Sequence, residues 1–214
     1  MIPNLPVIVL GAGGHAKVLI DTLLALSVEL IGIVDSASVP EQRSVLGIPV
    51  IGNDETVLNY PIDKVRLVNG LGSVTSTFDR KRLFVHFKSK GYCFAGIIHP
   101  SAVIARKVNL AEGVQVMAGA VIQPGCVLGE NTIVNTGASV DHDCLIGTHI
   151  HLAPGVTLCG GVEVGSGTHI STGATVIQGI RIGEGSLIAA GALVTEDVPD
   201  NVTVMGIPAK VVEK

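Results

Sequence analysis

From His99 the chain divides into sixteen consecutive hexads without an insertion, running from HPSAVI to AAGALV and ending at Val194. The sixth position is aliphatic in every one, the fourth is small or aliphatic, and Gly, Pro, Asn and Asp concentrate at positions one to three. Positions four and six share one face of a short strand, because strand side chains alternate. A strand that short cannot bury its face alone, so successive turns must stack into a solenoid. Its interior is narrow. No aromatic residue follows His99, whereas Tyr60, Phe78, Phe84, Phe87, Tyr92 and Phe94 all precede it. Glycine runs the other way, with 10 before His99 and 17 after, and the charge splits into +1 for residues 1–98 and −5 for 99–214. Two units with different building rules therefore meet near Ile98-His99-Pro100.

Composition bounds what these units can do. With 47% hydrophobic and 15% charged residues, the chain is expected to fold rather than stay disordered. A formal charge of −4 argues against nucleic acid or an anionic membrane as the main partner. Cys93, Cys126, Cys144 and Cys159 show no disulfide spacing. The N-terminus lacks a basic n-region and no apolar run reaches membrane-spanning length, so a soluble cytoplasmic protein is expected.

The hexad pattern resembles the hexapeptide-repeat left-handed parallel β-helix, in which three hexads make one triangular coil; about five coils follow from sixteen hexads. The register sorts residues by facing. Cys126 and Cys144 occupy the inward fourth position eighteen residues apart, which makes them packing residues rather than reactive thiols. Position five points outward, where Gln115, Ile133, His151, His169 and Leu187 form one face with two stacked histidines. Val103, Val121, Ser139, Thr157, Thr175 and Leu193 form a second outward face, uncharged throughout. An uncharged stripe of that length is expected to be buried against something.

The first unit reads as strand, glycine turn, helix, strand, acid. Val7-Ile8-Val9-Leu10 precedes Gly11-Ala12-Gly13-Gly14-His15-Ala16; a helical stretch follows with Val18, Leu19, Thr22, Leu23 and Leu26 on one face; Leu30 to Val34 then ends in Asp35. This is the dinucleotide-binding order with Ala at the third glycine position. Glycines let backbone approach a phosphate and the helix N-terminus attracts its charge, although a turn needed only for strand–helix packing has the same sequence. Strands near Val65–Val68 and Cys93–Ile98 and helices near Asp54–Asn59 and Asp79–Lys90 complete a Rossmann-like half domain. One nucleotide fits that size better than NAD, but an NAD-dependent oxidoreductase remains the rival enzyme class and a non-catalytic β-helical scaffold the non-enzymatic one.

Among seven histidines, His142 stands apart. It lies in Asp141-His142-Asp143 at a coil corner, where a carboxylate can fix the imidazole tautomer and raise its basicity. A solvated corner histidine is the plainer reading. His142, His149 and His151 are also a candidate zinc set, but their spacing differs from that of the β-helical carbonic anhydrases.

Asn135 to Gly147, the opening Gly-Ala-Gly-Gly-His-Ala-Lys, the junction Ile98-His99-Pro100-Ser101-Ala102 and the ending Gly206-Ile207-Pro208-Ala209-Lys210 together resemble the sialic-acid O-acetyltransferase-like sugar acyltransferases. That family includes bacterial N-acetyltransferases of nucleotide-linked 4-amino-4,6-dideoxy sugars. The resemblance spans essentially the whole chain. It implies a catalytic group of His142, Asp143 and Asn135, and acetyl-CoA contacts from His151, Gly160, Ala190, Gly206 and Pro208. It implies a sugar-nucleotide site at Gly11, Gly13, Gly14, His15, Asp35, Gly72, Ser73 and Arg80, with no metal. The reaction implied is direct acetyl transfer to the sugar C4 amine with His142 as general base and a next-coil N–H, or His151, holding the oxyanion. O-acetylation of a sialic acid is the alternative within the family, and a homotrimer with a site between subunits is the implied assembly.

Overall fold

The computed structural model describes residues 5–36 and 43–212. The N-terminal unit opens with β1 (Val7–Leu10), α1 (Gly14–Ala25) and β2 (Leu30–Val34). The hairpin of β3 (Ser44–Val45) and β4 (Ile48–Gly52), not anticipated from the sequence, extends the sheet beyond β2. A 3₁₀ turn at Asp54–Asn59, β5 (Arg66–Asn69) and α2 (Phe78–Ser89) complete it. The order is β3-β4-β2-β1-β5, parallel throughout except for the hairpin. All four residues of β1 are fully buried, as expected of a central strand covered on both faces.

The remainder is a left-handed parallel β-helix with three sheets of stacked two-residue strands. The first carries Gln115–Val116, Ile133–Val134, His151–Leu152, His169–Ile170 and Leu187–Ile188, and ends in the hairpin Thr203–Gly206/Ala209–Val212. The second runs from Val103–Ile104 to Leu193–Val194, and the third from Asn109–Leu110 to Arg181–Ile182. Every sixth-position side chain from Val116 to Val194 is buried in one continuous core; Ile104 and Leu110, in the first coil, are partly covered and pack on the same core. Cys126 and Cys144 are buried within it, and burial pushes the Cys144 thiol up to about 12, which keeps it protonated and inert.

The corners obey a backbone rule. From Lys107 to Gly191, the third residue of every hexad has φ between +57° and +82°. Glycine takes that conformation without strain, and eleven of these fifteen positions are glycine. The exceptions are Lys107, Asn131, Asp143 and His149, and Asn and Asp are the residue types that best tolerate it. The side chains of Asn131, Asp143 and His149 each make a hydrogen bond that glycine could not.

One expectation needs correction. Cys93–Ile98 is not one strand of the N-terminal sheet. Phe94 bridges to Leu67 at the sheet edge, while β6 (Ile97–Ile98) pairs with Gln115–Val116 and opens the first sheet of the β-helix. Ile97 and Ile98 are positions five and six of a hexad preceding His99, so the period begins one repeat earlier. The face of Gln115, Ile133, His151 and His169 points away from the coil axis, but all four are buried. The N-terminal unit packs over it because β6 leads directly into that sheet. Phe84 and Phe94 stack at 4.4 Å with His149 edge-on to Phe84, and Glu112 clamps the seam by accepting from Lys88 Nζ at 2.7 Å and from the Phe94 N–H at 2.7 Å.

Candidate active site

The chain passes from β1 to β2 on one side and returns to β5 on the other, so the carboxyl ends of β1 and β5 form a topological switch point. Ligands of open α/β sheets bind in that crevice. Two glycine turns flank it: Gly11–Gly14 after β1 and Gly70–Ser73 after β5. Their glycines differ in kind. Gly11 has φ +94°, so its backbone conformation requires glycine, and a side chain there would also meet Leu71 Cδ2 at 2.9 Å. Gly13 has an ordinary φ of −83°, and a Cβ on it or on Gly14 would meet nothing within 4 Å. Neither strain nor crowding demands glycine at 13 or 14; open space above the α1 N-terminus suits an approaching phosphate.

A cleft of about 750 Å³ joins these turns to a corner of the β-helix, with Gly13, Gly14, His15, Gly72 and Ser73 on one wall and Asn135 and His151 on the other. Asp35 lies outside it. It shares a smaller recess of about 300 Å³ with Gly11 and Asp54 and pairs with Arg43 at 3.0 Å. Arg80 overturns the expectation of a ligand-facing arginine. It is fully buried and donates from Nη1 to the carbonyls of Asn69 at 2.9 Å and Leu71 at 2.7 Å, and from Nε to Asn131 at 3.2 Å. Its helix-α2 position carries it beneath the second glycine turn, where desolvation lowers its pKa to about 9 and still leaves it protonated at neutral pH.

The histidines along the seam are held neutral. His15 Nε2 meets Gln115 Oε1 at 2.8 Å, and Gln115 Nε2 donates to the Asn69 carbonyl at 2.8 Å. Burial lowers the pKa of His15 to about 4, with Arg80 adding to the effect. Burial likewise takes His169 to about 4, and His151, facing His169, His15 and Arg80 as well, to about 2. The Asn135 amide fixes the His151 tautomer. Its Oδ1 accepts from the Thr136 N–H at 2.8 Å, which directs Nδ2 to donate to His151 Nε2 at 3.0 Å. His151 Nε2 is therefore an acceptor and Nδ1 carries the hydrogen. That hydrogen goes to Ser73 Oγ at 2.7 Å, and the Ser73 hydroxyl donates to His169 Nδ1 at 2.9 Å. With its Nε2 acting as an acceptor, His151 does not serve as the oxyanion donor.

His142 occupies the next corner of the same coil, with 62% of its side chain exposed. Its Nδ1 donates to Asp143 Oδ2 at 2.9 Å, its backbone N–H is capped by Asp141 Oδ1 at 2.8 Å, and the Asp143 bond followed by the Asp141 charge raises its pKa above the usual 6.5. Nε2 is left as the proton acceptor. Gly160, one coil on, sits against that atom: a Cβ there would lie 2.6 Å from His142 Nε2. Gly125, one coil back, makes the equivalent room for Asp143. The eighteen-residue stacking rule would have flagged Gly125, and it explains why Gly160 accompanies His142. Gln115 and Thr136, which hold His15 and Asn135, carried no signal short of the fold.

One chain does not bring all of these residues together. Asn135 stands at the corner between the first and second sheets, as does Ala190 three coils on; His142 and Gly160 stand at the corner between the second and third. The uncharged second sheet separates them. Gly206 and Pro208 lie in the exposed turn of the C-terminal hairpin. His142, His149 and His151, weighed as a zinc set, are directed to Asp143, Asn131 and Asn135, and among the described residues no cluster could hold a metal ion.

A β-helix whose corner histidine is buttressed by a carboxylate, joined to a nucleotide-type α/β unit, defines the class of hexapeptide-repeat acyltransferases. Residues 6–84 match the family model of the PglD N-terminal domain. Over the full length of both chains the protein is 38% identical, with a TM-score of 0.91, to perosamine N-acetyltransferase from Caulobacter crescentus, solved as a histidine-to-asparagine variant with CoA and GDP-perosamine. It is 36% identical, with a TM-score of 0.89, to the acetyltransferase domain of PglB from Neisseria gonorrhoeae FA1090, covering 98% of this chain and all of that one. WeeI from Acinetobacter baumannii AYE shares the fold at 24% identity and a TM-score of 0.87, covering 98% of this chain and all of its own. A search of characterised protein sequences returned no significant match. The chain belongs to the acetyl-CoA-dependent, hexapeptide-repeat sugar acetyltransferases with a PglD-type N-terminal domain. Among the described residues no helix is long and apolar enough to cross a membrane.

The open space at Gly13 supports a direct prediction. Gly13→Val keeps the backbone conformation accessible and its Cβ meets no protein atom within 4 Å, yet it fills the approach to the α1 N-terminus. The KM for the sugar nucleotide should rise by about tenfold or more, a loss of about 1.4 kcal/mol, with the acetyl-CoA KM nearly unchanged. Equal damage to both constants in steady-state assays would remove the ligand from this loop.

Proposed function

We propose that the protein transfers the acetyl group of acetyl-CoA to the C4 amine of a nucleotide-linked 4-amino-4,6-dideoxy sugar, in the cytoplasm and as a homotrimer. In this reading residues 1–98 hold the sugar nucleotide and residues 99–214 carry out acyl transfer. The observation that carries it is the His142–Asp143 pair, with Nδ1 committed to a carboxylate and Nε2 facing Gly160 in the next coil. The neutral amine attacks the thioester carbonyl, a C–N bond forms, and Nε2 of His142 takes the amine proton. The Gly160 N–H, in the coil next to His142, is the group positioned to meet the oxyanion. Collapse of the intermediate breaks the C–S bond, and the proton passes from His142 to the CoA thiolate. No acyl-enzyme is needed, since the amine attacks the thioester directly, and Cys144, two residues from His142, faces the core. The relative that binds CoA and GDP-perosamine supports the same substrate class here.

Gly13, Gly14 and Ser73 line the cleft that would take the sugar nucleotide, while Asp35 borders it from the adjoining recess. Ala190 and the Gly206–Pro208 turn are the proposed distal CoA contacts. The two corners that one chain keeps apart come together if the uncharged second sheets of three chains face one another. Sedimentation at micromolar concentration should give a trimer, about three times 22.0 kDa; a monomer would leave the site in two halves. The function itself is tested by CoA thiol release with acetyl-CoA and a panel of UDP-, dTDP-, GDP- and CMP-linked amino sugars. Release with a 4-amino sugar and none with its 4-hydroxy counterpart is expected. Release only with sialic acid would replace N- by O-acetylation.

A further inference from the structure

Ser73 belongs to the N-terminal unit, yet its hydroxyl is bonded to two histidines of the β-helix. The two rings stack in adjacent coils, 5.0 Å apart and nearly perpendicular, and the hydroxyl bridges their Nδ1 atoms. Both are buried and neutral, so the chain of bonds has a single consistent direction. The Thr136 N–H donates to Asn135 Oδ1, Asn135 Nδ2 to His151 Nε2, His151 Nδ1 to Ser73 Oγ, and Ser73 Oγ to His169 Nδ1. Reversing the Ser73 hydroxyl would require the other His151 tautomer, which places an N–H against the Asn135 N–H. Without the Ser73 hydroxyl, His151 Nδ1–H loses its side-chain acceptor, and the ring loses the bond that orients its Nε2 toward the Asn135 amide.

We propose that Ser73 is a positioning residue for acyl transfer: its hydroxyl accepts from the Nδ1–H tautomer that the Asn135 amide sets and so fixes the His151 ring, and His151 in turn holds the Asn135 amide with its remaining N–H available to the cleft it lines. Ser73 follows Gly70-Leu71-Gly72 on the wall where the sugar nucleotide would sit, so the hydroxyl ties the conformation of that turn to the donor geometry on the opposite wall. Such a link makes the acyl site sensitive to how the second glycine turn is held. Arg80, donating to the carbonyls of Asn69 and Leu71, fixes the turn from below.

The test pairs a spectroscopic readout with kinetics, and only the kinetic arm rests on the proposed function. Histidine-¹⁵N-labelled wild type, Ser73→Ala and Ser73→Thr are compared at neutral pH, with the His151 signal assigned by its loss in His151→Gln. All three should show His151 protonated at Nδ1, with the Nδ1 resonance of Ser73→Ala shifted by loss of the hydroxyl acceptor and that of Ser73→Thr close to wild type. The kcat of Ser73→Ala should fall about tenfold, with the acetyl-CoA KM within about twofold and Ser73→Thr close to wild type; tenfold corresponds to about 1.4 kcal/mol in the barrier. An Nε2–H tautomer in the wild type overturns the proposal before any variant is made. So does an Nδ1 resonance unmoved in Ser73→Ala, a shifted resonance with unchanged kcat, or a threonine variant as impaired as the alanine one. Absence of acetyl transfer by the wild type would instead reject the proposed function and leave the tautomer result standing.

Discussion

Replacing His142 with alanine should lower kcat by about 10²–10⁴-fold, the range for a positioned proton acceptor. The variant should fold as the wild type does, because the ring is largely solvent-exposed and its partners belong to its own corner. Acetyl-CoA binding should survive. The pH dependence carries a sign. Asp143 and Asp141 raise the His142 pKa, and only the neutral ring accepts a proton, so kcat/KM should fall as pH drops through a value above 6.5. Asp143→Asn removes the first of those influences. It should move the acid limb down towards 6.5 and lower kcat less than His142→Ala, since the acceptor remains and only its orientation weakens. A His142→Ala enzyme that keeps most of its turnover at neutral pH would leave catalysis to positioning of an amine that enters already neutral.

The second large effect concerns stability. Arg80→Ala removes the donors to the carbonyls of half-buried Leu71 and buried Asn131 and one of two donors to Asn69, which keeps Gln115. Hydrogen bonds to a charged group contribute about 1.5–3 kcal/mol each, so the loss should reach about 4 kcal/mol and lower Tm by about 10 °C. Arg80→Lys should recover only part of it, because an ammonium lacks the planar fork that reaches three carbonyls. Differential scanning calorimetry of the three proteins checks this. An Arg80→Ala protein with an unchanged Tm and a selectively raised sugar-nucleotide KM would return Arg80 to the ligand site.

Asp143 and Arg80 show how differently residues declare themselves. Asp143 is legible from the hexad register: a position that glycine usually fills carries an acid next to a histidine, at a corner that must lie outside the core. Arg80 is legible only as an arginine early in a helix, a pattern equally suited to gripping phosphate. Its burial depends on α2 packing beneath the second glycine turn and against Asn131, a contact spanning 51 residues.

The same division runs through the whole molecule. The period of six determined the β-helix, its inward residues, the absence of aromatics and the corner holding His142, because a stacked coil repeats one local geometry and each residue's facing follows from its place in the count. The first βαβ segment was equally local, set by one glycine turn between an apolar strand and an amphipathic helix. The tertiary structure alone decided that the outward column of Gln115, Ile133, His151 and His169 is covered, that Ser73 bonds to two of its histidines, and that Asn135 and His142 stand at different corners. Those outcomes depend on how two units dock, and docking is fixed by side chains distant in sequence, for which no period exists to be read.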